Sequence, residues 1–167
     1  SIIRKVNKEE HMEGKTRIVN KDMLKPRHKS EHNRYEYYKY QASARGEGYQ
    51  CTVSIYEIPP KKANYPYHYH TGNEEVFYII SGNGVLETPE GQSLVSAGDV
   101  IIFPANKNGA HRLTNVSATD MLVYLDCDTA NDPDVVFYPK TGKVGILTEN
   151  SAKFYRVNDD IDYFEGE

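Results

Sequence analysis

The stretch Pro66-Tyr67-His68-Tyr69-His70-Thr71-Gly72-Asn73-Glu74-Glu75-Val76-Phe77-Tyr78-Ile79-Ile80-Ser81-Gly82 decides how this chain of 167 residues is read. His68 and His70 stand two residues apart, so on a strand both imidazoles point to one face. Glu75 opens the apolar run Val76–Ile80, which is too short for a buried helix and suits a strand closed by the turn Ser81-Gly82-Asn83-Gly84. Two inward imidazoles would leave polar nitrogens in an apolar interior unless something binds them, and a metal satisfies both. A lone core histidine is usually just hydrogen-bonded, but a pair at strand spacing followed by a carboxylate points to coordination.

Outward from this stretch the same rhythm continues. Segments rich in Tyr, Val, Ile and Thr are closed by Gly, Pro or Asn about every ten residues, which is the pattern of a β-sandwich or small barrel. The expected strands are 35–41, 50–58, 67–70, 75–81, 84–88, 92–95, 99–103, 111–115 and 121–126, with no long helix, so the fold class is all-β. Residues 1–45 read as an N-terminal arm that is irregular over residues 1–30, with at most a short helix interrupted at Pro26, before the strand rhythm begins at Arg34. Past Asp126 the rhythm fades, and residues 129–167 read as an irregular extension ending in an acidic tail. The whole chain is expected to be one domain, with its core at about 48–128.

A third histidine, His111, opens a later strand, so three neutral nitrogens and the Glu75 carboxylate converge. That donor set suits one divalent transition metal, Mn, Fe, Ni, Zn or Co, with up to two positions open for a ligand. Glu74 competes with Glu75, but a shift of one residue turns the side chain to the opposite face. Alternation puts Phe77 on the face of Glu75 and Leu113 on the face of His111, so both are expected to line a pocket for a small molecule. Lys107, and Lys61 or Lys62, are candidates to hold a phosphate or carboxylate. No catalytic acid or base is singled out.

These motifs resemble those of the cupins. His68-Tyr-His70, four residues, Glu75, six residues and Gly82 is similar to the first cupin motif; Gly98, five residues, Pro104, then His111, three residues and Asn115 is similar to the second. The resemblance implies a double-stranded β-helix, the jelly-roll cupin barrel, with His68, His70, Glu75 and His111 holding a metal at the barrel mouth. It also implies a homodimer in which the arm adds a strand to a sheet edge. The run Asp132-Pro-Asp-Val-Val-Phe-Tyr-Pro-Lys-Thr-Gly-Lys-Val is similar to the tail of a bacterial single-cupin group labelled sugar-phosphate isomerase-like. Two departures stand out: Lys62 replaces the glycine that opens the first motif, and the loop between Pro104 and His111 is two residues longer than the pattern.

Other classes are disfavoured. The longest apolar runs are five residues, far below the roughly 18 of a membrane span. The opening Ser-Ile-Ile-Arg-Lys-Val has no secretory apolar core, and two cysteines, Cys51 and Cys127, make no disulfide framework; the expected address is cytoplasmic. Residues 1–45 carry 12 Lys/Arg against 6 Asp/Glu, a net +6, while the rest carries 8 against 18, a net −10. The acidic body would repel a polyanion, so no nucleic-acid partner is expected. Asp126-Cys-Asp128-Thr-Ala-Asn131 begins like a calcium loop but lacks its glycine and closing glutamate. The functional expectation is a metal-binding protein, an enzyme of isomerase, lyase or dioxygenase type acting on a small polar metabolite; the alternative is a non-catalytic binding or sensor module.

Overall fold

The computed structural model describes residues 13–167, and the first 12 residues of the expected arm lie outside the described residues. In chain order the strands are β1 (Arg27–His32), β2 (Tyr35–Ser43), β3 (Cys51–Ile58), β4 (Tyr69–His70), β5 (Glu75–Ser81), β6 (Asn83–Thr88), β7 (Gly91–Ser96), β8 (Val100–Phe103), β9 (Arg112–Asn115), β10 (Leu122–Thr129), β11 (Asp134–Tyr138), β12 (Lys143–Thr148) and β13 (Ser151–Arg156). Single 3-10 turns at Lys21–Met23 and Lys107–Gly109 are the only helices among the described residues. No helix among them is long and apolar enough to cross a membrane. The fold is all-β, a barrel of antiparallel strands.

The main sheet runs β1-β2-β3-β10-β5-β8; a three-stranded sheet, β7-β6-β9, faces it, and β13-β12-β11-β4 forms a third. Alternation drives this assembly. On β5, Glu75, Phe77 and Ile79 are buried while Tyr78 and Ile80 are exposed, and on β10 the buried phase is Leu122, Tyr124 and Asp126. Antiparallel pairing in register stacks these phases into rows across the sheet: Gln41, Ser54, Asp126 and Phe77 form one row, and Thr52, Asp128, Glu75 and Phe103 the next. Tyr56, Tyr124, Phe77, Ile58, Ile79, Leu113 and Leu122 make a core that is almost completely excluded from water.

Two glycines are required by close approach. Gly82 has φ +86, and an added Cβ would stand 2.5 Å from the Met121 carbonyl, so only glycine makes the β5–β6 turn. Gly109 would put a Cβ 2.1 Å from the Pro104 carbonyl, so the enlarged loop closes tightly before His111. Where Lys62 replaces the expected glycine, the turn instead places its neighbour Lys61 at φ +62. Asn115, buried, donates to the carbonyls of Ile58 and Asp120 at 2.8 Å each, tying β9 to the end of β3.

The structure corrects both flanks. In the arm, β1 is a strand where an irregular segment was expected; it forms a hairpin with β2, the expected 35–41 strand, and β2 pairs with β3 of its own chain, covering a sheet edge from within. The C-terminal extension is not irregular up to Arg156. Its strands β11–β13 form a meander that pairs through β11 with β4, the strand of His70. The outermost strands, β1 and β13, are exposed at nearly every position, so hydrophobic periodicity was weak there.

Candidate metal centre

His68 and His70 reach one site by strand alternation, His111 by a bridge. The His68 amide donates to the His111 carbonyl at 3.2 Å and the His111 amide to the His68 carbonyl at 2.9 Å, setting the two rings 4.9 Å apart. Ligating atoms of His68, His70 and Glu75 all lie within 4.8 Å of one another. His111 joins through the carboxylate: its Nε2 is 3.4 Å from Glu75 Oε2, while His70 Nε2 is 3.5 Å from Oε1. Glu75 is buried and Glu74 exposed, which settles the choice between them.

Each imidazole has its other nitrogen committed. Nδ1 of His68 donates to the Pro66 carbonyl at 2.8 Å, Nδ1 of His111 to the Gly109 carbonyl at 2.9 Å, and Nδ1 of His70 to Asp134 Oδ2 at 2.5 Å. These acceptors fix the Nδ1–H tautomer and leave every Nε2 lone pair facing inward, the arrangement by which acceptors orient metal-binding histidines. The Nε2 of fully buried His111 has no hydrogen-bond partner. A cation is the group that satisfies it, so the donor set fits a divalent transition metal. His111 is held rigidly, stacked on Phe103 at 3.7 Å and touched edge-on by Phe77 at 5.4 Å.

Protonation follows position. Burial holds His68 well below its usual value, helped by the charges of His111 and His70, and burial brings His111 down to about 4. Burial also disfavours charge on His70, yet its bond to Asp134 and the Glu75 charge outweigh this and raise it. Asp134 is the reciprocal case: burial opposes ionisation, but the bond from His70 holds it down at about 2. Burial pushes Glu75 up, with Asp128 adding to the shift and His70 opposing it.

The histidines and Glu75 open into a cavity of about 500 Å³. Asp126 and Asp128 line it, and oxygens of both lie within 4.8 Å of a Glu75 oxygen. Burial, reinforced by Asp128, pushes Asp126 well above the usual carboxylate range. Tyr138, from β11, also faces in; burial takes it up to about 12, so its hydroxyl stays neutral.

The pocket residues read from sequence lie elsewhere. Phe77 and Leu113 belong to the hydrophobic core and do not line this cavity, because the inward phase of their strands is filled by packing before it reaches open space. Lys107 sits in the exposed turn at Lys107–Gly109, also outside the lining. Lys61 and Lys62 donate to the carbonyls of Val116 and Asn33. Residues that sequence reasoning missed are Asp126, Asp128, Asp134, Tyr138, Arg27 and Lys39. Asp126 and Asp128 carried a usable signal, since they continue the inward phase of Leu122 and Tyr124. The Asp126–Asn131 run is no calcium loop, because Asp126 and Asp128 are on β10.

Residues 54–127, which hold His68, His70, Glu75 and His111, match the family model described as the cupin domain. It is similar to a candidate sugar phosphate isomerase from Acidithiobacillus ferrooxidans, with 24% identity, coverage of 84% of this chain and 90% of the other, and a TM-score of 0.72. A sugar phosphate isomerase of the cupin superfamily from Silicibacter pomeroyi matches at 18% identity over 86% and 95%, TM-score 0.74. The polyketide cyclase RemF from Streptomyces resistomycificus matches at 16% over 72% and 84%, TM-score 0.56. A search of curated protein sequences returns no significant match.

Proposed function

We propose that this cupin is a divalent-metal-dependent enzyme that moves a proton on a small polar carbonyl or hydroxyl compound, an isomerase or lyase type of reaction. The observation that carries the reading is the convergence of His68, His70, Glu75 and His111 with every Nδ1 committed and the His111 Nε2 left without a partner. The bound metal would supply Lewis acidity, polarising a carbonyl or hydroxyl oxygen.

The chain's own residues supply the rest. Asp126 and Asp128 are the carboxylates positioned to move a proton, and burial favours the protonated form of Asp126. In an isomerisation, an aspartate takes the proton from the hydroxyl-bearing carbon beside the carbonyl and returns it to the former carbonyl carbon, while the hydroxyl proton passes to the former carbonyl oxygen; the bond electrons shift within the substrate, so no oxidant is consumed. Tyr138 offers a neutral O–H to orient substrate, and other residues of the C-terminal sheet line that side of the cavity. The names of the two isomerase neighbours agree with this chemistry. The reading keeps the cytoplasmic setting that suits free Cys51 and Cys127.

The test has two parts. Protein purified without chelator or affinity tag should contain about one divalent metal per chain, and His68→Ala with His70→Ala should remove it. Metal-loaded protein incubated with aldoses and ketoses in deuterium oxide should then catalyse hydrogen exchange beside the carbonyl, read by NMR. Oxygen uptake without exchange would replace proton transfer by dioxygenation. Equal metal content in wild type and double variant would overturn the site, and metal without any turnover would leave a binding module.

A further inference from the structure

Pairing register brings three carboxylates together beside the histidines. Glu75 on β5 stands directly opposite Asp128 on β10, and Asp126, two residues earlier on β10, points to the same inner face. Like charges directly opposite one another weaken a strand pair, and water does little to screen these, since Glu75 and Asp126 are each only 7% exposed. One oxygen from each of Glu75, Asp126 and Asp128 lies within 4.8 Å of the other two.

Hydrogen bonding does not relieve the cluster. Among the described residues, Oδ1 of Asp126 and Oδ1 of Asp128 are buried and have no hydrogen-bond partner. A carboxylate oxygen can be satisfied only by a donor or a cation. Lys39 lines the same cavity, yet among the described residues it forms no ion pair, and its ammonium lies 5.3 Å from the Tyr56 ring centre. Three carboxylates against one ammonium leave two negative charges over, which one divalent cation balances. Burial pushes Glu75 up to about 8 and Asp126 well above the carboxylate range, and Asp128 adds to both shifts, the mark of a cluster short of positive charge.

We infer that Glu75, Asp126 and Asp128 form an oxygen-lined seat for a calcium ion beside the histidine cluster, and that ions in the two seats oppose each other because both seats use Glu75. Two oxygens on one calcium, each at about 2.3–2.6 Å, stand at most about 4.6–5.2 Å apart, so these three oxygens reach one ion with little movement. Magnesium, at about 2.0–2.1 Å, needs them within about 4.2 Å, and the imidazoles suit a transition metal better than either. Gln41 and Thr52 line the same space, and Gln41 donates its amide nitrogen to the Ser43 carbonyl at 3.3 Å, which leaves its own carbonyl oxygen for an ion. The acidic run that begins like a calcium loop therefore serves from a strand, with its missing glutamate replaced by Glu75 of the neighbouring strand. Divalent ions in both seats would set four positive charges against the two negative ones left over, so each ion weakens the other. A calcium ion here would also withhold Asp126 and Asp128 from a substrate; that consequence rests on the proposed proton-transfer reading, and the seat itself does not.

Calorimetric titration of the metal-free full chain with calcium chloride tests this. Wild type should bind one calcium per chain with a Kd of about 10⁻⁴–10⁻³ M. Asp126→Asn and Asp128→Asn keep the side-chain size and should each weaken binding about ten-fold or more, while Lys39→Gln removes the opposing cation and should tighten it. A tighter variant is a result that damage to the fold does not produce, so Lys39→Gln keeps the test decisive if either aspartate variant fails to fold. The His68→Ala, His70→Ala variant should lose zinc yet keep calcium within about three-fold, and zinc-loaded wild type should bind calcium at least about ten-fold more weakly. Wild type that binds no calcium up to about 10 mM overturns the proposal, as does binding that both aspartate variants leave untouched, which would put the ion on the acidic tail at 158–167. Calcium binding lost with the two histidines, or weakened by Lys39→Gln, overturns it as well, and equal calcium affinity with and without zinc overturns the shared use of Glu75. Calcium binding without zinc binding in wild type would sink the histidine centre alone, and zinc without calcium would sink this proposal alone.

Discussion

Asp134→Asn exchanges one carboxylate oxygen for an amide nitrogen without changing the size of the side chain. In the native protein Oδ1 accepts from the Gly72 amide at 3.0 Å and Oδ2 from His70 Nδ1 at 2.5 Å. An asparagine has one acceptor oxygen for these two donors. If it serves Gly72, the amide N–H faces His70, and the imidazole must move its proton to Nε2, the atom needed for the metal. If it serves His70, the Gly72 amide is left facing a donor. Either way one charge-assisted bond is lost, worth about 1.5–3 kcal/mol. Loss of such an orienting group costs about 10–100-fold in metal affinity, or about 1.4–2.8 kcal/mol, so the two figures agree. Competition for Zn or Mn against a chromophoric chelator reads the affinity directly. A variant within two-fold of wild type would refute the claim that Asp134 sets the His70 tautomer. Acid unfolding gives a second readout. Folded Asp134 stays ionised down to about 2, while an unfolded aspartate protonates near 3.9, so the contribution is whole above about pH 4 and disappears as pH falls through about 2. Metal-free Asp134→Asn should lose that part of the acid limb.

Metal uptake at neutral pH should release protons, because burial pushes Glu75 up to about 8 and the bond to Asp134 holds His70 above its usual value, and both must lose their protons to coordinate; a pH-stat titration with no proton release would contradict this. The sign for His70 itself is opposite to that of Asp134: its contribution to metal-free stability is whole below about pH 6.5 and fades as pH rises through the raised folded value. Gly109→Ala should cost about 1–3 kcal/mol in thermal unfolding and lower metal occupancy, since the added carbon displaces the loop that carries His111; an unchanged melting temperature would show that the loop yields freely. The expected homodimer has a natural seat on the outer face of β5 and β8, where Tyr78, Ile80, Val100 and Ile102 are exposed, the last at 69%. Sedimentation should show a dimer at tens of micromolar and a monomer for Ile102→Glu, and a monomeric wild type would remove the dimer.

Sequence legibility followed burial. The strands that build the core, β3, β5, β6, β9 and β10, alternate between buried and less buried positions, and all nine expected strands appear, β5 with both bounds unchanged and β10 extended to Thr129. The cluster of His68, His70, Glu75 and His111 was legible because period two and a turn glycine fix which side chains share a face. Neither flank offered that signal: β1 and β13 are mostly exposed, and their pairing depends on neighbours distant in the chain. The anion-binding candidates failed for a related reason. Lysines near the histidines in sequence, Lys61, Lys62 and Lys107, were the natural choice, while the cations that line the cavity, Arg27 and Lys39, arrive through sheet pairing and not through sequence proximity.

The bond between His70 and Asp134 joins residues 64 apart, and this sets an order of events during synthesis. When residue 128 has been made, all four candidate ligands are present, together with strands that can close the barrel. His70 still lacks the carboxylate that orients it, and β4 still lacks its partner β11. A chain at that point has the candidate ligands without the contact that fixes His70 among them. Only docking of the C-terminal meander supplies it, so the segment that looked most like a dispensable tail is the clasp that sets the geometry of the cluster.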